Sequence, residues 1–234
     1  MAHPLSHILD GIASAAYPRL CRICRRPLLH DEHLMCLHCL AELPRTRIAD
    51  FEFNTIHSRL AHHTPVARAV AWYFYDKASD YARLIVESKY EKRPRQCRAL
   101  GAIMAREMAD TGFFDGIDAL VPVPLHWKKR LSRGFNQTEE IARGISSVTG
   151  IPVVAGLRAV RGHGIQSRHN AAERAAALVG TFRAIHADRL RGRHLLIIDD
   201  LITTGATLSE ALRALSSASP SALSVLAPGL TVHS

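Results

Sequence analysis

Two constellations in this sequence have the residue types and spacing to do chemistry. The first is Cys21-Arg-Ile-Cys24 with Cys36-Leu-His-Cys39, two CxxC pairs separated by eleven residues. Each pair can form a tight turn that directs two thiolates at one ion, and two such turns complete a tetrahedral S4 set suited to zinc. Residues 19 to about 47 are rich in Cys, Arg, His and Pro and carry little periodic hydrophobicity. Such a segment needs a staple other than a core, and metal binding supplies folding energy directly. A pair of disulfides is the competing reading, but nothing suggests export. A redox role is disfavoured because redox CxxC motifs do not usually come doubled. His30, His33 and His38 read as surface or neighbouring residues, since four thiolates suffice and leave no open position for catalysis. The fifth cysteine, Cys97, stands alone and reads as a half-buried small residue.

The second constellation runs from Leu195 to Thr207, LLIIDDLITTGAT. An apolar strand delivers Asp199 and Asp200 at its carboxyl end, where open α/β sheets bind ligands. A turn of Thr203, Thr204 and Gly205 follows, and a helix begins near Ala206 and Thr207. Backbone N–H groups and Thr hydroxyls in such a turn can cradle a phosphate, with the helix N-terminus adding a favourable dipole. Gly205 allows close backbone approach. The acids would be repelled by phosphate and suit ribose hydroxyls instead, directly or through Mg²⁺. The bland alternative, a strand–turn–helix with a Thr cap, does not explain two adjacent acids at the mouth of the turn. The segment lacks the Gly-Lys-Ser/Thr ending of a P-loop, which disfavours a kinase or ATPase.

The elements that must position these groups read as an α/β domain. Pro65 precedes an apolar run, Val66 to Tyr75, that predicts a strand. Its aromatics, Trp72, Tyr73, Phe74 and Tyr75, read as strand core rather than a stacking platform. Helical spacing follows over 78–90 and 94–108, with Pro94 placed to start the second helix. Strand and helix then alternate: strands at 118–123, 153–160, 194–198 and 222–226, helices at 137–148, 170–178 and 208–216, and a polar loop at 161–169. That alternation predicts a mostly parallel sheet. Residues 1–60 form an N-terminal helix (Leu5 to Tyr17) plus the cysteine module, and 61–234 the α/β domain. The first helix has no basic leader, so it reads as amphipathic rather than as a signal peptide.

With 47% hydrophobic and 22% charged residues in 234, the chain is globular, and no apolar run spans a bilayer. A cytoplasmic location is the expectation. The formal charge of +9 favours an anionic partner such as a nucleotide, a phosphorylated sugar or nucleic acid. Cations concentrate at Lys89, Lys92, Arg93, Arg95 and Arg98, and again at Lys128, Lys129, Arg130 and Arg133.

Asp199 through Thr207 resembles the phosphoribosyl diphosphate (PRPP) motif of type I phosphoribosyltransferases. Taken with the doubled CxxC, Ser88-Lys89-Tyr90, Val121-Pro122-Val123-Pro124-Leu125-His126, Arg133-Gly134-Phe135-Asn136-Gln137, and Gln166 followed by Glu173-Arg174, the chain resembles the ComF (ComFC/GntX-like) family along nearly its whole length. That family is linked to DNA uptake and competence. The resemblance implies that Asp199 and Asp200 hold the ribose and that Thr203, Thr204, Gly205, Ala206 and Thr207 hold the 5′-phosphate. It implies a pyrophosphate site at Val123 and Pro124, with Lys128, Arg130 and Arg133 supplying charge. It places a closing loop at 161–174, with Gln166, Arg168 and Arg174 as ligand contacts. Ala177 stands where the family has Asn, and Ser167-Arg168-His169-Asn170 lacks the usual Leu.

Two functions follow from the resemblance. In one, PRPP binds with Mg²⁺ and a phosphoribosyltransferase reaction follows. In the other, the pocket is a sensor or relic and the working activity is single-stranded DNA binding. The zinc module, Lys89, Lys92, Arg93 and Arg95 would then track phosphates and Tyr90 would stack on a base. A DNA-uptake helicase or channel is a possible partner for either.

Overall fold

The computed structural model describes residues 18–47, 50–52, 54–60, 65–90, 93–125, 127–160 and 179–232. The helices expected at 5–17 and 170–178 lie outside that set. After the cysteine segment, the short helices α1 (Leu37–Ala41) and α2 (Thr55–Leu60) lead to strand β1 (Arg68–Tyr75). A 3₁₀ turn then runs into α3 (Arg83–Tyr90), followed by α4 (Pro94–Met108) and β2 (Ala119–Pro122). Next come α5 (Trp127–Arg133), α6 (Gln137–Thr149), and the strands β3 (Leu157–Ala159) and β4 (Phe182–Ala184). The chain continues through α7 (Ala187–Leu190), β5 (His194–Ile198), β6 (Leu201–Ile202), α8 (Ala206–Ser216) and β7 (Ala222–Thr231).

The main sheet runs β1-β7-β5-β2 with every neighbour parallel, and β6 pairs the same side of β7 as β5 does. Parallel strands require crossovers, and helices packed on both faces bury them from both sides. This explains why β5 is a continuous apolar run and not an alternating one. Leu196 and Ile198 enter one core with Trp72, Leu100, Met104 and Ile145, while Leu195 and Ile197 enter the other with Leu60, Leu208 and Leu212. The chain is thus an α/β protein with a mostly parallel sheet, as the sequence pattern predicts.

The first core is also the core of the cysteine segment. Cys21, Ile23, Leu34, Met35, Cys39 and Leu43 pack into it. Cys97 on α4 is completely buried there, rather than half-buried as expected. On that face α4 and α6 approach so closely that only glycine fits at their crossing. A Cβ on Gly101 would lie 2.1 Å from the Ile141 carbonyl oxygen, and one on Gly144 would lie 2.0 Å from that of Arg98.

Two strands differ from expectation. The region 153–160 is strand only over Leu157–Ala159, because Val153 makes a single parallel bridge to Leu120 before the chain turns away. It pairs instead with β4 as an antiparallel hairpin beside α8. β7 runs on to Thr231, through Ala227-Pro228-Gly229. β5 and β6 lie along β7 in one register, Ile198 opposite Leu226 and Leu201 opposite Gly229. The two acids, Asp199 and Asp200, stand in the interruption, opposite Ala227 and Pro228. Leu226 turns its carbonyl toward Asp199. Pro228, two residues on, turns the same way and has no N–H to donate, so the ladder stops there.

Candidate functional site

The centre of the site is the junction β5–Asp199-Asp200–β6–turn–α8. Asp199 is 7% exposed. Its N–H donates to the Leu226 carbonyl at 3.1 Å, and its Oδ1 accepts the Asp200 N–H at 2.8 Å. Beyond Leu201 and Ile202 the chain turns through Thr203, Thr204 and Gly205. Gly205 has φ +81°, a left-handed conformation costly for any residue with a Cβ. The Thr204 hydroxyl lies 3.5 Å from the Ala206 N–H, and the Gly205 carbonyl accepts the Ser209 N–H at 2.8 Å, the first turn of α8. Asp199, Thr203, Gly205, Ala206 and Thr207 share the lining of one small hollow of about 10 Å³. The strand's carboxyl end thus brings together the acids and the turn named from the sequence, next to a helix N-terminus whose first amides have no intrahelical acceptor.

Helix α2 braces the turn from behind, a support that the sequence reading missed. Arg59 donates from Nη1 to the Thr203 carbonyl at 2.8 Å. The Leu60 side chain comes within 3.1 Å of where a Gly205 Cβ would be. The available signal was small: Asn54, whose Oδ1 takes the Ile56 N–H at 2.9 Å, and the apolar pair Ile56 and Leu60 on one helical face.

The loop after β2 lies beside the acids. The Val123 N–H donates to the Ile198 carbonyl at 2.9 Å, one residue before Asp199. The Val123 carbonyl in turn accepts from Asn136 Nδ2 at 3.1 Å and from the Thr138 hydroxyl at 2.6 Å, all three groups being buried. Asn136 and Thr138 therefore fix the loop that carries Val123 and Pro124. Arg130 and Arg133 lie on α5, a helix and not the loop itself, and Lys128 lies on the same helix. Arg133 donates to Gln137 Oε1 at 3.2 Å, and Arg130 sits 3.7 Å from Glu139.

Gln166, Arg168 and Arg174 fall between β3 and β4, outside the described residues, but the roots of that segment are well defined. Val160 donates to the Thr181 carbonyl at 2.8 Å, and Glu210 on α8 accepts the Gly180 N–H at 2.7 Å. Burial pushes the Glu210 carboxyl up. Arg213, with bonds at 2.7 and 2.8 Å, and the amides of Gly180 and Phe182 outweigh burial and hold its pKa below the ordinary value.

The four cysteines are a second site. Their sulfurs all lie within 4.8 Å of one another, with Cys24 and Cys36 3.7 Å apart. A tetrahedron with metal–sulfur bonds of ~2.3 Å has edges of about 3.8 Å, so the spacing fits a zinc ion. The Cys36 N–H points at Cys21 Sγ, 3.4 Å away. Burial pushes the Cys21 thiol up, but the amides of Cys24, Cys36 and Ile23 overcome that and bring it down to about 7. Burial first, and the neighbouring thiols next, push Cys39 well up. Crowded thiols that compete for protons in this way are what a divalent cation relieves.

Cations gather where this segment meets the helices. Arg22 and Arg25 both pair with Glu87 on α3, and Arg83 donates to the Ile23 carbonyl. With the Gln96 amide oxygen turned toward them, it accepts from Arg22 Nε at 2.9 Å and Arg93 Nη1 at 3.1 Å. Arg93 and Arg95 stand at the start of α4, Lys89 and Tyr90 lie on α3, and Lys92 is outside the described residues. Arg93 is thus partly committed to structure. No described helix is long and apolar enough to cross a membrane.

No family model matches the chain. DNA utilization protein YhgH of Escherichia coli K12 is 27% identical over 203 residues, covering 82% of this chain and 88% of that protein. Competence protein F of Haemophilus influenzae is 30% identical over 95 residues, covering 40% of this chain and 42% of that protein. The chain is a homologue of these ComF-type proteins. Among solved structures, an allosteric regulatory enzyme of purine biosynthesis overlaps 56% of this chain at 23% identity and TM-score 0.40. The glutamine PRPP amidotransferase of B. subtilis overlaps the same share at 22% identity and TM-score 0.40. The match spans a quarter of each of those enzymes' length. With overlaps so partial, the fold is read from the chain's own strand order and from the Asp199–Thr207 junction.

Proposed function

We propose that the Asp199–Thr207 junction binds PRPP, with Mg²⁺, and that the chain is a phosphoribosyltransferase serving DNA uptake. The observation that carries this is the pair of acids released from the sheet directly before a tight turn and a helix N-terminus. Anion and polyol demand opposite electrostatics, and this junction offers both within a few residues. The 5′-phosphate would rest on the amides of Thr204 to Thr207, since the hollow itself is too small to enclose it. The ribose hydroxyls would face Asp199 and Asp200. In the reaction the bond from ribose C1 to pyrophosphate breaks, its electron pair leaving with pyrophosphate. An acceptor lone pair then forms the new bond at C1, and the acceptor's proton passes to solvent. Lys128, Arg130 and Arg133 on α5 would offset the leaving group's charge. The loop at 161–174 that the resemblance implies would exclude water. The metal at the cysteine cluster is zinc in this proposal, closed and structural.

The deciding experiment is a calorimetric titration of PRPP and Mg²⁺ into the wild-type chain and an Asp199→Asn/Asp200→Asn variant. Micromolar binding that the variant loses supports the reading. Absence of binding by the folded, metal-loaded wild type overturns it. A second reading rests on the cations joining the cysteine module to α3 and α4, and on the names of the relatives: direct binding of single-stranded DNA, with the PRPP site a sensor or relic. Counterion release then requires affinity to fall steeply with salt. A flat salt response up to physiological ionic strength excludes it.

A further inference from the structure

A large cavity lies along the free edge of β1, apart from the ribose-phosphate junction. The chain that follows the cysteine module covers this edge in two places. Pro44 and Thr46 pair with Phe74 and Trp72, and Phe51 meets the strand again at Ala69. Beside those contacts lies a cavity of about 490 Å³, the size of a small-molecule pocket. The cavity has an apolar floor that includes Ile56 and Leu230, with Phe74 on one wall. Phe74 is 42% exposed, in contrast to the buried Trp72 and Tyr73 beside it.

The polar groups divide by their commitments. Asn54 is spent on the Asp50 and Ala69 carbonyls, Thr46 on the Ala71 carbonyl, and Arg45 on Glu107. These shape the wall. Arg47 is different: its side chain is 91% exposed, and Asp50 lies 3.8 Å from it. The lining therefore offers an aromatic face, a guanidinium at the rim, and the Asp50 carboxylate as an acceptor for an amine or a hydroxyl. An arginine fork fits a phosphate, and a phenyl face fits any base.

We propose that this cavity binds one nucleotide unit, its base against Phe74 and its phosphate on Arg47. The same chemistry comes from a free nucleoside monophosphate or from the end of a DNA strand. The cavity and the phosphate turn lie at opposite ends of α2. Asn54, Thr55 and Ile56 line the cavity, while Arg59 holds Thr203. A six-residue helix spans about 9 Å, so the two sites are neighbours without overlapping.

The test is calorimetry on the full, zinc-loaded chain with thymidine 5′-monophosphate and with thymidine, without PRPP. Wild type binds the monophosphate about tenfold more tightly than the nucleoside. Arg47→Gln erases that difference and leaves thymidine binding intact. Phe74→Leu weakens both ligands by about tenfold, as loss of a stacking face requires. Melting curves of both variants check that the fold is kept. Binding of the monophosphate by Arg47→Gln at wild-type strength overturns the proposal, as does absence of binding by wild type at millimolar concentration. Loss of binding in the Asp199→Asn/Asp200→Asn variant also overturns it, because the ligand then sits on the ribose-phosphate junction. That arm separates this proposal from the PRPP reading, since either site can fail alone. A 5′-phosphorylated thymidine decamer identifies the source. If it binds tighter than the mononucleotide and depends on Arg47, the occupant is a strand end; equal affinity assigns the free nucleotide.

Discussion

The cysteine module and the Thr203–Gly205 turn are both small polar sites, but they are held in opposite ways. The module lends Ile23, Leu34, Met35 and Leu43 to a larger core, but its four sulfurs converge because two CxxC turns face each other. The turn owes its shape to what surrounds it: a buried strand before it, β7 beside it, α2 behind it and α8 after it. A site built by its own ligands depends on an ion, whereas a site built by its surroundings depends on packing. The two are coupled at one place, because the module's apolar residues share a core with β1, α4 and α6.

The largest effect expected from this contrast is on metal removal. Chelation should unfold residues 19 to 47 and leave the sheet folded, since an ion held by the four thiolates would supply folding free energy to that segment. Hydrogen exchange should show lost protection in that segment and retained protection in β5 and β7. Global unfolding would mean that the shared core makes module and sheet one cooperative unit. Next in size, Gly101→Ala should attack the packed side alone. Its Cβ meets backbone and not a movable side chain, so a loss of about 2–3 kcal/mol is expected by denaturant titration, with metal content unchanged.

Glu210→Gln should cost about 1–2 kcal/mol at neutral pH, reduced from the full buried-pair value because Arg213 is half exposed to solvent. Its pKa is lowered in the fold, so its contribution is present above the ordinary value of 4.5 and is lost as pH falls through the folded value. Wild type and variant should therefore converge in acid. The smallest effect belongs to His194, at the opposite end of the sheet from the site, whose Nε2 lies 2.8 Å from the buried Ser224 hydroxyl. Burial, then Arg68, lowers its pKa below 6.5, so the fold prefers the neutral ring. Stability should be complete above pH 6.5 and fall slightly as pH drops below it, a slope that His194→Gln should flatten.

Much of the fold was legible because its signals are local. Leu195 to Ile198 is apolar enough to demand burial on both faces, Pro94 marks the start of α4, and paired cysteines announce their own geometry. The acids and the turn were legible for the same reason, since they are contiguous. What escaped depends on distant partners. Arg59 matters only because a six-residue helix, too short to show periodicity, packs against a turn 144 residues later. The hairpin of β3 and β4 joins two three-residue strands across a long connection. Phe74 sits in a run of aromatics that reads uniformly as core, yet it is exposed and lines the cavity along β1. Ala227-Pro228-Gly229 reads as the end of a strand, yet β7 passes through it to Thr231.

That last feature reaches further than a boundary correction. In a fully bonded ladder, the residues opposite Ala227 and Pro228 would be ordinary strand, their side chains fixed to alternate faces. A proline in the neighbouring strand withholds one amide hydrogen, and the chain across from it is interrupted at the buried Asp199 and the half-buried Asp200. The position of the site is thus written on a strand that contributes no ligand to it. Restoring the missing donor, with Pro228→Val, should let the ladder close, flatten Asp199 and Asp200 into the sheet, and silence the junction without altering any residue in it.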